Sequence, residues 1–252
     1  MVIQVTQSAK HFLKKIGVVE REMVKFVQNN AHRVEQDDTM TYEESSSNFE
    51  SVAKELLDAI NNIVVRDRIV FMLSSDYEAK SFIPKAINAS AKFNEKLLKN
   101  KYLKIGKNYI VLFISPYFIY SLFVAYFDGS NETLTEIFDI FEYELSGVFH
   151  HEMVHRVQNK KFSVGQGSLT KNTREEYLSD PREIMAHAKQ IYISLKMIGY
   201  DGNEILDIIK NPQKYEKVLM STPFFDYASL SNKAVLNKLY KYIYEYVVGT
   251  TK

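Results

Sequence analysis

"GVFHHEMVHRVQ", residues 147–158, contains His151-Glu152-Met153-Val154-His155. On a helix, histidines four residues apart lie one turn apart on the same face, close enough for both imidazoles to reach a single ion. The stretch upstream is helical in pattern. Leu134, Ile137, Phe138, Phe141, Leu145 and Val148 recur at three- and four-residue steps, the period of an amphipathic helix. Carrying that count forward places His151, Glu152 and His155 on the inward-looking side. His150 points roughly a hundred degrees away and is the weaker candidate. Ser146-Gly147 is expected to divide the segment into two helices.

The chemistry follows from the spacing. A zinc ion gripped by His151 and His155 lowers the pKa of a water on it toward about 7, and Glu152 stands where its carboxylate takes that proton as general base. Four of the six histidines fall between residues 150 and 187, and the chain has no cysteine. Disulfides, thiolate zinc ribbons, iron–sulfur clusters and cysteine nucleophiles are thereby excluded, so any metal sits on His, Asp and Glu.

A catalytic zinc takes a third protein ligand. A third histidine at metzincin spacing is excluded, because Gln158 and Lys161 occupy the Gly and His positions of that pattern. The better candidate lies in "YLSDPREIMAHAKQ", where Glu183 stands 28 residues after His155 near the start of a new helix, with the small Ala186 three residues on. A glutamate on a second helix after an intervening loop resembles the gluzincin class of zinc metallopeptidases. The resemblance rests on His151, Glu152, His155 and Glu183, and covers approximately residues 68–200 in pattern. It implies ligands His151, His155 and Glu183, Glu152 as base, Zn2+ as the ion and a peptide or protein as substrate.

Glu183 has a competing assignment. Asp180-Pro181-Arg182-Glu183 is also a capping box, with Asp180 as N-cap and Glu183 reaching back to it. Ligation is the expectation, and His187, one turn on, is the second candidate ligand. The sequence departs from the thermolysin-like pattern, which carries an acidic residue where His187 stands. A neutral histidine does not supply that charge to orient a ligand. His187 or Tyr177 is expected to donate to the oxyanion of a tetrahedral intermediate, with core packing the competing role for Tyr177.

Around the motif the chain alternates in character. Leu13, Ile16, Val19, Met23, Val24 and Val27 mark one or two helices over residues 8–35, the acidic stretch "EQDDTMTYEESSSNFE" a loop, and Phe49–Val64 another helix. "RIVFMLSS" from Arg68, "AINASAKFN" from Ala86 and "NYIVLFIS" from Asn108 read as strands. An edge strand at 86–92 or 108–115 would pair with an extended substrate. Residues 159–174, with Gly165 and Gly167, form a connection or a rim over the cleft. Val235, Leu236, Leu239, Ile243 and Val247 predict a last helix stopped near Gly249. The expectation is an α+β protein, with a helical N-terminal lobe over residues 1–66 and a zincin-like domain over 67–252.

Charge adds exclusions. Lys plus Arg numbers 32 against 31 for Asp plus Glu, so no global field draws the chain to nucleic acid or an anionic membrane. Lys92, Lys96, Lys99, Lys101, Lys104 and Lys107 read as a solvated face rather than a nucleic-acid patch. Tyr109–Phe127 is uncharged and close to the roughly 20 residues of a membrane helix. Ser115-Pro116 favours a split into a buried strand and a helix, with a membrane-embedded peptidase as the competing reading. No apolar stretch of signal-peptide length opens the chain, and a cytoplasmic location is expected. The functional expectation is a zinc peptidase; the alternative is a metal-stabilised binding or assembly protein.

Overall fold

The computed structural model describes residues 11–34, 46–73, 87–90, 110–162 and 173–249. The chain divides into two compact units, Thr6–Leu145 and Ser146–Lys252. It is mostly helical with a small sheet. The sheet falls within Thr6–Leu145.

In the first unit, helix α1 (Ile16–Asn30) buries Ile16, Val19, Met23 and Val27, the three- and four-residue steps of one stripe. Helix α2 (Ser46–Val64) buries Val52, Leu56, Ile60 and Val64 in the same way. A short 3-10 turn follows, and Arg68 enters the left-handed region at φ 62°. This sharp reversal is held at both ends: Arg68 N–H donates to Val65 O at 3.0 Å, and Ile110 N–H donates to Arg68 O at 2.9 Å.

Strand β1 (Ile69–Leu73) starts there. It runs parallel to β3 (Ile110–Ile114), and β2 (Ile87–Ser90) pairs antiparallel with β3 on its other side. The order β1-β3-β2 puts β3 in the centre. Residues 108–115 are thus corrected from candidate edge to central strand, with both rows of backbone groups already paired. Ile69, Val70, Phe71, Ile110, Val111 and Leu112 are all buried, as expected of a near-continuous apolar run covered on both faces. The outer edge of β1 is blunted by Asn61. Its Nδ2 donates to Phe71 O at 2.9 Å and its Oδ1 accepts from Phe71 N–H at 2.7 Å.

After β3, Ser115 is extended and Pro116 opens helix α3 (Pro116–Phe127), where proline lacks only a donor that the first turn does not use. The uncharged run is therefore a strand and a twelve-residue helix. Among the described residues no helix is long and apolar enough to cross a membrane. Helix α4 (Asn131–Phe162) then runs unbroken for 32 residues. Ser146-Gly147 does not divide it, contrary to the expectation. Gly147 instead serves packing: a Cβ there would stand 3.1 Å from Ser194 Oγ and 3.4 Å from Gln190 Cγ.

The second unit continues with α5 (Arg174–Ser179), α6 (Pro181–Met197), α7 (Gly202–Lys210), α8 (Glu216–Leu219), α9 (Phe224–Ala228) and α10 (Lys233–Gly249). Its core is built on α6. Ile184, Ile191 and Leu195 join Ile205, Leu239 and Ile243 in one buried cluster, and Tyr192 stacks on Tyr246 of α10 at 6.3 Å. Residues 163–172, most of the expected rim, lie outside the described residues, as do Lys92–Lys107.

Candidate metal centre

Helices α4 and α6 pack antiparallel. Gly147 lies against Gln190 and Ser194, His151 against His187, His155 against Glu183, and Gln158 against Arg182. The seam holds Val154 and Ala186, both buried. Ala186 has no side chain beyond Cβ, so the backbones approach closely enough for short-range contact between the polar groups flanking it.

Three of those groups converge. His155 Nε2 lies 3.1 Å from His151 Nε2 and 3.1 Å from Glu183 Oε2, and His151 Nε2 lies 3.5 Å from the same oxygen. Tetrahedral ligands 2.0–2.1 Å from zinc stand roughly 3.4 Å apart, so the triangle has the dimensions of a ligand face. Among the described residues, His151, His155 and Glu183 form the group able to hold a metal ion. His151 and Glu183 are buried, and His155 is partly so.

The electrostatics favour a cation at the same point. Burial opposes ionisation of Glu183, yet the two imidazoles hold its carboxyl far below the usual carboxylate range. Burial also disfavours a charge on His155, and Glu183, then Glu152, overcome it and raise the imidazole pKa. A proton satisfies this arrangement, and a divalent ion satisfies it with both imidazoles neutral.

The assignment of Glu183 between ligand and cap is visible in the hydrogen bonds. Asp180 is the N-cap of α6, accepting from Arg182 N–H at 2.8 Å. Glu183 does not reach back to close the box; its carboxylate engages His155, and the Tyr177 hydroxyl donates to it. Burial, together with the Glu183 charge, pushes the Tyr177 phenol well above its ordinary range. Tyr177 thus positions Glu183.

Glu152 is 6 % exposed and accepts no hydrogen bond from the described residues, though its charge reaches both His155 and Tyr177. His187 is not part of the converging group; its ring lies 4.4 Å from that of His151, and its Nδ1 meets the Tyr227 hydroxyl at 2.7 Å. His150 turns away, its Nδ1–H donating to Ser146 O at 2.7 Å, and burial pushes its pKa down to about 4.

Sequence reasoning missed three residues here. Tyr227, fully buried, sits 40 positions after His187 with no spacing signal to link them. Gln158 registered only as the wrong residue for a metzincin. Lys189, 5 % exposed, holds its ammonium 4.9 Å and 4.8 Å from the ring centres of Tyr192 and Tyr246, and burial lowers its pKa to about 8. Its position on the buried side of α6 was legible only through the helical period.

No protein family, curated protein or solved structure matches the chain.

Proposed function

We propose that the chain is a zinc-dependent peptidase, with His151, His155 and Glu183 as metal ligands and Glu152 as general base. The observation that carries the reading is the triangle of His151 Nε2, His155 Nε2 and Glu183 Oε2, a donor set of the right type and spacing with Glu152 next to the first ligand in sequence. The donors are two imidazoles and one carboxylate, the His2Glu composition that catalytic zinc sites use. Zinc held there would supply a Lewis acid that acidifies water and polarises a carbonyl.

The side chains supply the rest. Glu152 takes a proton from the attacking water as its oxygen bonds to the carbonyl carbon, and passes that proton to the amine nitrogen as the C–N bond breaks. Tyr177 holds Glu183 in place. His187 packs its ring 4.4 Å from that of His151 and meets the Tyr227 hydroxyl through Nδ1, and the proposal gives it the task of steadying the developing oxyanion. A peptide or protein substrate and a cytoplasmic setting, consistent with a chain free of cysteine, complete the proposal.

One observation favours a second reading from another class. His151, Glu152 and Glu183 are all under 10 % exposed, which also suits a metal that only ties α4 to α6 in a binding or assembly protein. Glu152→Gln distinguishes the two. On the peptidase reading the variant keeps its metal and loses hydrolysis of a broad peptide library, while a chelator abolishes cleavage by the wild type. Full hydrolysis by the variant would remove the mechanism.

A further inference from the structure

The two histidines of the cluster are held differently. His155 Nδ1 stands 3.0 Å from Gln158 Oε1. The other end of that amide is fixed: Gln158 Nε2 donates to the Arg182 carbonyl oxygen at 3.3 Å and points at Met185 Sδ at 3.6 Å. A carbonyl oxygen and a thioether sulfur accept and do not donate, so the amide has one consistent orientation. Its oxygen then faces His155 and only accepts, so Nδ1 carries a proton. Nε2 faces His151 and the Glu183 carboxylate, which accepts from it until a metal ion takes that place. Gln158 is 3 % exposed, so water does not compete for these bonds. His151 has nothing equivalent: its Nδ1 is buried and without a partner.

We infer that Gln158 is a positioning residue that presets His155 in its ligating tautomer, ties α4 to the first turn of α6 beside Glu183, and so sets the affinity for the metal. This rests on the reading of His151, His155 and Glu183 as ligands. A partner on the outer nitrogen of a ligating histidine is typically worth ten- to a hundredfold in metal affinity. Here a neutral amide fills that place for one ligand, and no described residue fills it for the other.

The test uses the full chain labelled with 15N-histidine, with nitrogen–proton correlations that show whether His155 Nδ1 holds a slowly exchanging proton. Competition with a chromophoric chelator reports zinc affinity. The wild type is expected to show the proton on Nδ1. Gln158→Leu should lose the protection of the Nδ1 proton and weaken zinc about ten- to a hundredfold, whereas Gln158→Glu, which keeps the acceptor for His155 but not the donor to Arg182 O, should keep the Nδ1 proton and lose less affinity than Gln158→Leu. If Gln158→Leu does not fold, Gln158→Met keeps the length of the side chain and takes its place. A wild-type Nδ1 without a proton, or a folded Gln158→Leu that binds zinc as the wild type does, overturns the inference. If the wild type takes up no zinc, the ligand reading falls, and the Nδ1 proton signal alone decides whether Gln158 governs the ring.

Discussion

Asn61 in the first compact unit and Glu152 in the second are both polar side chains shut away from water, at 2 % and 6 % exposure. Asn61 spends its amide on both backbone groups of Phe71. Glu152 has no hydrogen bond among the described residues. The same contrast holds more widely. Of the eleven buried polar or charged side chains described, three lie in Thr6–Leu145 and eight in Ser146–Lys252. Asp67, the charged member of the first group, is matched by Lys15 at 2.8 Å and His11 at 2.7 Å. Burial works against its ionisation, and these two partners nonetheless hold its pKa below the ordinary value. The second unit holds a buried imidazole nitrogen without a partner, His151 Nδ1, and a buried lysine set against two tyrosine rings. Buried polar groups are ordinarily satisfied, so an unpartnered nitrogen beside a possible metal group marks where to look for a ligand.

The largest effect should come from Glu152→Gln. Hydrolysis of a peptide library should fall by at least about a hundredfold, the contribution of a general base. Thermal stability should change little, because Glu152 makes no hydrogen bond with the described residues and glutamine keeps its size and shape. A large loss of stability would mean that Glu152 is matched after all, and would break the contrast with Asn61.

In the first unit the expectation is reversed. Asn61→Leu removes both partners of Phe71 and leaves a buried N–H and C=O unpaired, a cost of about 2–4 kcal/mol. Urea unfolding measures it. A neutral result would show that β1 does not depend on Asn61 to cover its edge.

Lys189→Met should act in the opposite direction, by a smaller amount. Lowering the lysine pKa from 10.5 to about 8 corresponds to roughly 3 kcal/mol of disfavour at neutral pH, and the two tyrosine rings return part of it. The substitution is expected to stabilise the protein by about 1–3 kcal/mol. The pH dependence has a definite sign. Between about pH 8 and 10.5 the unfolded chain still holds the proton that the folded chain has released, so wild-type stability rises with pH across that window. His150, Tyr192 and Tyr246 face the same ammonium, so the quantity to compare is the difference between wild type and Lys189→Met. That difference should shrink as pH climbs through the window.

Much of this was legible along the chain because it rests on period. The stripe that begins at Leu134 leads to His151 and His155 by counting alone, and Ser115-Pro116 marks the change from strand to helix. Glu183 stood out because few other residues offered a third donor. Competing local signals hid the rest. Ser146-Gly147 reads as a break by propensity, yet the packing of Gln190 and Ser194 against Gly147 makes the small residue an asset within one continuous helix. The central position of β3 depends on pairing between strands distant in sequence, which no local pattern records. Tyr227 meets His187 across 40 residues, and Gln158 reaches Arg182 and Met185 across 24 and 27. Their types are ordinary for a core and for a helix surface, so composition offers no hint.

The central claim is that a metal ion is held by His151, His155 and Glu183. Its most direct test is elemental analysis of the native protein, purified without chelators, beside Glu183→Ala and His187→Ala. The expected result is one equivalent of zinc per chain in the wild type and in His187→Ala, and little or none in Glu183→Ala. A wild-type protein that contains no transition metal and takes none up from added zinc would contradict it.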